Sequence, residues 1–381
     1  MSMKKEVLAL STLVGTIVGV GIFGLPYAFV RSGFLVGIGY LVILGCAMLI
    51  LHLLYGEIIL RTEKNMRFFG YARWYLGKWS EIPTGVSSTI GLFGALLAYI
   101  LVGGQFLKTI GGSWYQGSDR FYIFLFWALF SAVVLFGLRA VTRAEFWMSV
   151  GLVVLVIVIF IAAAPSITTD NLFASVGERN IFFPYGLVLF ALSGAMVIPE
   201  IREVLRGKED SIKKIIIAGT LIPAVLYGIF TLAVVGVSGA KTSTEAIKGL
   251  SDALGSSMMQ VGAWFGLLAV ATSFIATSIY VRDLLRFDLQ VHKMVAVAVA
   301  VVSPLLLLMA GVDNYLSILG FIGAVAGGTD AILLILMYRK ARLVGQRVPE
   351  YTVRVPRFIL RLLLLCFSLG IVYEIYIQVI T

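Results

Sequence analysis

Two stretches of the sequence place glycine and proline inside long apolar runs, and their backbone peptide groups are the first candidates for chemistry. Residues 15–26 read GTIVGVGIFGLP, and residues 190–199 read FALSGAMVIP. Inside a helix, glycine costs about 1 kcal/mol and proline about 3 kcal/mol relative to alanine, so both helices are predicted to break. A broken backbone in lipid is tolerated only where protein or a cavity surrounds it. Each break is therefore predicted to mark a binding site.

The ends of the half-helices carry the peptide dipoles that such a site would use. The second halves are predicted to begin near Gly21 and Gly194, where free N–H groups and the positive end of the helix dipole suit a carboxylate. The first halves are predicted to end near residues 17–20 and 189–192, where free carbonyl oxygens suit an ammonium group or Na+. A small neutral solute would leave these groups unsatisfied. The predicted ligand is therefore a zwitterion.

Membrane-spanning helices must position these breaks. The 381 residues are 60% hydrophobic and 13% charged, with a mean hydropathy of +1.00, which excludes an ordinary soluble domain. A spanning helix needs about 20 mostly apolar residues. With that length we predict 11 spans, at about residues 7–30, 34–60, 82–107, 121–138, 146–164, 182–205, 212–238, 258–281, 292–310, 315–338 and 358–380.

The positive charges orient these spans. With a cytoplasmic N-terminus, all but six of the 30 Lys and Arg residues fall in cytoplasmic loops, as the positive-inside rule requires. The six predicted outside are Arg31, Lys108, Arg120, Arg179, Lys241 and Lys248. The sequence thus predicts a multi-pass protein of the cell (inner) membrane with an external C-terminus. Because the net charge of +10 lies in short loops, no nucleic-acid partner is predicted.

The two breaks share one spacing. Gly21 precedes Pro26 by five residues, as Gly194 precedes Pro199. Matched interruptions in two halves of a chain are typical of transporters built from inverted repeats. A channel or a non-transporting sensor on the same scaffold is the alternative, although we see neither a repeated polar pore ring nor a long soluble tail. An enzyme is not predicted, since the chain has two histidines, no Cys/His metal spacing and no nucleophile motif.

The segments GTIVGVGIFGLPYA and VLFALSGAMVIPEI resemble the first and sixth helices of the amino acid/auxin permease family. This family includes bacterial hydroxy/aromatic amino acid permeases and belongs to the amino acid–polyamine–organocation superfamily. The resemblance implies an all-α polytopic membrane protein with the leucine-transporter-type 5+5 inverted repeat and broken helices 1 and 6. Residues 1–381 would form one transmembrane domain, with repeats at about 7–164 and 182–338 and an extra helix at about 358–380. The implied function is secondary active transport of neutral amino acids, large or aromatic ones among the candidates, coupled to Na+ or H+.

The resemblance also implies which residues bind the substrate. The backbone positions that would hold its carboxylate are Gly19, Val20, Gly21 and Ile22. In the second break, the residues that would receive the amine are Phe190, Ala191 and Leu192, and those that would border the substrate side chain are Ser193 and Gly194. Tyr99, midway along the third span, could offer its hydroxyl to the carboxylate or could simply pack. No organic cofactor is expected, and the lipid bilayer is the only other predicted partner.

The eighth span carries Thr272 and Ser273. In sodium-coupled relatives, a Thr/Ser pair at this place ligates Na+ together with carbonyl oxygens of the first break, here those of Ile17 and Val20. Oxygen ligands suit such a hard cation. Alternatively, both hydroxyls could bond back to their own helix. The coupling ion, Na+ or H+, is left open.

Acidic residues in or beside the spans are candidates for gating or proton transfer. Glu200 and Asp283 are predicted at the cytoplasmic gate. Asp330 is the candidate proton carrier, although a neighbouring helix could equally satisfy it. Glu57 and Arg61, one helical turn apart, are expected to form a partly exposed surface pair.

Overall fold

The computed structural model describes residues 5–112, 114–136, 141–174, 177, 179–288 and 290–380, and these residues form an all-helical protein. The helices, numbered along the chain, are α1 Lys5–Ile17, α2 Gly21–Ser32, α3 Phe34–Leu60, α4 Phe68–Leu76, α5 Glu81–Gly111, α6 Asp119–Phe136, α7 Val141–Ala163, α8 Thr169–Phe173, α9 Pro184–Ala191, α10 Ile198–Val204, α11 Ile212–Ser238, α12 Ser251–Asp283, α13 Lys293–Met309, α14 Tyr315–Phe321, α15 Gly328–Val344 and α16 Arg357–Ile380. A π-helical segment, Ile322–Gly327, joins α14 to α15.

Most of these helices can span a membrane. Within the described residues, seven helical stretches are long and apolar enough, and the bent pair α1–α2 makes an eighth. Two further apolar stretches, Val150–Ser166, which begins in α7 and ends in the 3₁₀ turn after it, and Lys293–Met309, are shorter. The predicted all-α membrane architecture is therefore confirmed, while the count of 11 spans and the repeat boundaries stay predictions.

The helices pack in two groups. The first helix group consists of α1, α2, α3, α9, α10 and α11, and it contains both predicted breaks. The second helix group consists of α5, α6, α12 and α13. Between them, α14 and the π-helical segment contact both α9 and α5, and α7 contacts both α1 and α12. The breaks thus lie in the first group, on helices that also face the connecting elements.

The backbone of α9 touches the backbone of the connecting elements. A Cβ atom on Gly186 would lie 2.7 Å from the carbonyl carbon of Gly320, and one on Gly323 would lie 2.7 Å from the amide nitrogen of Phe190. Because real Cβ atoms essentially never come this close to other heavy atoms, only glycine fits at these positions. This contact holds α9 in place beside the second break.

Residues 345–356, the strap, connect α15 to α16 and pack on the end of α3. The buried Glu57 carboxylate accepts a hydrogen bond from the Val353 N–H at 2.6 Å and pairs with Arg61 at 2.7 Å. The Tyr351 hydroxyl donates to the Leu53 carbonyl at 2.8 Å. The predicted Glu57–Arg61 pair forms, but its exposure was predicted wrongly: Glu57 is 0% exposed because the strap covers it.

Candidate functional site

The first predicted break is present. Helix α1 ends at Ile17, α2 begins at Gly21, and the two axes differ by 48°. Between them the chain makes tight turns, in which the Gly19 N–H donates to the Ile17 carbonyl at 3.0 Å and the Ile22 N–H donates to the Gly19 carbonyl at 3.3 Å. Pro26 lies inside α2 rather than in the break.

The second predicted break is also present. Helix α9 ends at Ala191, Ser193 and Gly194 lie outside any helix, and α10 begins at Ile198 after one 3₁₀ turn. The Ser193 hydroxyl donates to the Leu189 carbonyl at 2.9 Å. One carbonyl that the sequence predicted to be free is therefore satisfied by a side chain of the break itself.

The two breaks lie directly against each other. A Cβ atom on Gly21 would be 2.8 Å from the Cα of Ala191, so the start of α2 packs on the end of α9. A Cβ atom on Gly194 would be 2.9 Å from the Cδ1 of Ile17, so the second break packs on the end of α1. The predicted substrate-binding segments are therefore brought together, and the backbone contact at Gly21 leaves room only for a hydrogen side chain.

Tyr227, on α11, joins the two breaks and was missed by the sequence reasoning. Its fully buried hydroxyl lies 2.5 Å from the Ile17 carbonyl oxygen and 2.9 Å from that of Ala191. These two carbonyls end the first half of each broken helix, as predicted for a site that attracts cations. A buried tyrosine hydroxyl usually has a hydrogen-bond partner. The signal in the sequence was therefore a tyrosine in the middle of an apolar span.

The remaining backbone positions differ in how open they are. Around Gly19 there is open space, with no heavy atom within 4 Å of a Cβ position. Phe190 and Ser193 are half-buried, whereas Val20 and Leu192 bury their side chains in the core. Of the predicted carboxylate-binding residues, Gly19 thus presents the most accessible backbone. Ile22, also predicted, has a buried side chain.

The predicted sodium ligands come from two elements, the carbonyls of the first break and the hydroxyls of α12. The Thr272 hydroxyl donates to carbonyls of its own helix, at 3.0 Å from Ala269 and 3.2 Å from Leu268. Ser273 is half-buried on the same helix, and among the described residues no hydrogen bond links either side chain to Ile17 or Val20. Tyr99 lies half-buried on α5, in the second helix group, and packs against the core.

The three acidic candidates lie in separate environments. Asp330 accepts a hydrogen bond of 2.6 Å from the Ser87 hydroxyl on α5, so a neighbouring helix does provide a partner. Asp283 pairs with the adjacent Arg282 at 2.7 Å. Glu200 is exposed in the first turn of α10.

Helix α10 is held near both of its ends by polar contacts that the sequence did not indicate. Arg202 donates to the carbonyls of Ile59 and Thr62, at 2.8 and 2.9 Å, where α3 ends. Asn65 donates to the Pro199 carbonyl at 3.1 Å. A cation at a helix C-terminus is favoured by the dipole, but the sequence does not say which helix Arg202 would reach.

The chain is similar in sequence to bacterial transporters. The chain is 25% identical over 328 residues to glutamine transporter 2 of Aliivibrio fischeri, an alignment that covers 82% of this chain and 83% of the relative. It is 23% identical over 372 residues to tyrosine-specific transport system 1 of Haemophilus influenzae, covering 91% of each.

Two solved structures of Mhp1, a nucleobase-cation-symport-1 family transporter, share the fold. The inward-facing conformation has a TM-score of 0.68 at 15% identity and covers 99% of this chain and 91% of that one. The closed conformation with bromovinylhydantoin bound has a TM-score of 0.61, also at 15% identity, and covers 86% and 77%.

A family model also matches the chain. It describes tryptophan/tyrosine permeases and matches residues 3–374. The match spans both breaks and nearly the whole chain, and the relatives above are transporters. The chain belongs to the tryptophan/tyrosine permease family.

Proposed function

We propose that this protein is a secondary active transporter of neutral amino acids, aromatic ones among them, that works by alternating access. One observation carries the proposal. The two broken helices meet so closely that Gly21 packs on Ala191, and the carbonyl groups that end α1 and α9 both lie within hydrogen-bond distance of the Tyr227 hydroxyl. Interrupted helices that meet within the bilayer are the recurring binding device of secondary transporters.

The substrate class follows from the peptide groups. The turn at Gly19–Ile22, with open space beside Gly19, suits the carboxylate, and the carbonyl ends of α1 and α9 suit the ammonium group. The named substrates of the relatives, tyrosine and glutamine, are both neutral zwitterions. Ser193 and Gly194 would border the space for the side chain, while Phe190, Ala191 and Leu192 would receive the amine. In this proposal Tyr99 packs beside the site from α5.

The same proposal includes the finer architecture. The eight spanning stretches together with α6, α7 and α13 make the 11 spans. Residues of about 7–164 and 182–338 would be the inverted repeats, and α16 would lie outside them. The distribution of Lys and Arg supports a cytoplasmic N-terminus, an external C-terminus and the bacterial inner membrane. The wider kinship with amino acid/auxin permeases belongs to this proposal too.

Two residue sets are the candidates for coupling. For Na+, the carbonyls of Ile17 and Val20 would be joined by the hydroxyl oxygens of Thr272 and Ser273, and a hydroxyl can ligate an ion through its lone pairs while it donates its proton to a helix carbonyl, as Thr272 does. For H+, Asp330 is the candidate carrier, and its bond with Ser87 links α15 to α5. Glu200 and Asp283 remain gate candidates, each at the end of a helix in a different group.

Uptake into proteoliposomes tests the proposal. Purified protein is reconstituted, and accumulation of radiolabelled L-tyrosine and L-glutamine is followed under an inward Na+ gradient, an inward pH gradient or no gradient. We expect accumulation above protein-free liposomes under at least one gradient, and its collapse with an ionophore for that ion. Failure to transport either amino acid under every gradient would refute the assignment.

A further inference from the structure

The Tyr227 hydroxyl is the only side-chain group that links the carbonyl ends of both broken helices among the described residues. Its distances of 2.5 Å to the Ile17 oxygen and 2.9 Å to the Ala191 oxygen add up to 5.4 Å, the largest separation that the two oxygens can have. Tyr227 is fully buried. A donor in this position is therefore enclosed by protein and lies between two acceptors from different segments.

The hydroxyl matters most for Ala191. The Ile17 carbonyl also accepts the Gly19 N–H at 3.0 Å, whereas the structure gives the Ala191 carbonyl no second donor among the described residues. A hydroxyl has a single proton, so it can donate to one of the two carbonyls at a time. Without Tyr227 at least one buried carbonyl would lose its partner, and leaving such a group unsatisfied is strongly unfavourable.

A substrate ammonium group would supply the donors that are scarce here. It carries three N–H donors and no acceptor, while a tyrosine oxygen can both donate and accept. An ammonium group can therefore donate to both carbonyl oxygens at the same time, which the single proton of a hydroxyl cannot do. Binding of the ammonium would free the Tyr227 hydroxyl from donating to either carbonyl.

We propose that the Tyr227 hydroxyl takes the place of the substrate ammonium group in the empty transporter. This inference rests on the proposed transport function and adds a role for a residue outside both breaks. A carrier that accumulates substrate must return across its cycle with an empty site. In that step the Tyr227 hydroxyl donates to the Ala191 carbonyl while the Gly19 N–H donates to that of Ile17, whereas in the loaded step the ammonium group donates to both. Tyr227 is thus a positioning residue for the return of the empty carrier.

The prediction separates two transport modes. Net uptake includes the empty return, whereas exchange of external for internal substrate proceeds with the site loaded in both directions. The phenylalanine variant, Tyr227→Phe, removes one oxygen atom and keeps the ring. Net uptake of L-tyrosine should fall about 10-fold, since one buried carbonyl is then unsatisfied, while exchange should stay within about 2-fold of the wild type because the ammonium supplies the donors.

Tyr185→Phe is the matched control. Tyr185 lies on α9, is buried, and its hydroxyl points to the Cys366 carbonyl on α16 at 3.4 Å, away from the break. This variant should leave the ratio of net uptake to exchange unchanged. Both variants and the wild type are compared in one proteoliposome preparation, with L-tyrosine inside the vesicles for exchange and absent for net uptake.

The outcomes are distinct. A selective loss of net uptake in Tyr227→Phe supports the proposal. Equal loss of both modes, including complete loss through misfolding, or no loss of either, overturns it, because a purely structural role affects both modes alike. A wild type that neither accumulates nor exchanges amino acids refutes the transport function itself, which is a different result.

Discussion

The contact between the two breaks can be perturbed by a single methyl group. Gly21→Ala places a Cβ atom 2.8 Å from both the Cα and the Cβ of Ala191. Carbon atoms normally rest about 3.5–4.0 Å apart, so the start of α2 and the end of α9 must separate by several tenths of an ångström or more. The atoms in the way belong to backbone and to a short side chain, and neither can rotate away.

The magnitude follows from overpacking. Extra methyl groups in a packed core cost about 1–3 kcal/mol, which corresponds to about 5–150-fold in a binding constant when the strain falls on the site. Because the end carbonyls of α1 and α9 shift with the contact, we expect the affinity for L-tyrosine to fall about 10-fold or more. Titration calorimetry on purified protein, in Na+ and in choline buffer, measures this change.

Gly39→Ala is the matched control. Gly39 also lies in a spanning helix, α3, but a Cβ atom there meets no heavy atom within 4 Å. The same added methyl group should leave affinity and thermal stability nearly unchanged. If Gly21→Ala binds L-tyrosine as tightly as Gly39→Ala does, the breaks do not form the substrate site as we have placed it.

Three further perturbations test other parts of the structure. Asp330→Asn keeps an acceptor for Ser87 but cannot release a proton, so uptake should lose its response to a pH gradient while exchange continues; an unchanged response excludes Asp330 as the carrier. Glu57→Ala leaves the largely buried Arg61 without its partner, and thermal unfolding should show a loss of about 3 kcal/mol; a loss below about 0.5 kcal/mol would contradict the buried pairing. Gly323→Ala forces apart two touching backbones and should prevent folded, monodisperse protein from being recovered, whereas normal yield and melting would show that the contact can open.

The sequence predicted where the helices break because that preference is local. Glycine and proline disfavour a helix wherever the chain ends up, so breaks at 18–20 and 192–197 could be anticipated from composition. The shared Gly–Pro spacing did not predict where each second half-helix begins. Gly21 is the first residue of α2 and Pro26 lies inside that helix, whereas Gly194 lies in the break and Pro199 falls in the first turn of α10.

Long-range partners could not be predicted in the same way. The hydroxyl of Tyr227 reaches a carbonyl 210 residues earlier in the chain, and Glu57 is covered by a strap that begins 288 residues later. Neither pairing has a periodicity or a spacing that a single sequence displays. The charge pair Glu57–Arg61 was predictable from its helical spacing, but its burial depended on the distant strap.

The touching backbones of α9 and its neighbours have a consequence for measuring conformational change. Gly186 and Gly323 bring the two backbones into direct contact, so we expect α9 and residues 315–327 to move together. Helix α10, beyond the break, is attached by side chains such as Arg202, which can release and reform their bonds. The distance between spectroscopic labels on α9 and α14 should therefore stay constant during transport. The displacement of α10 can then be measured relative to that pair.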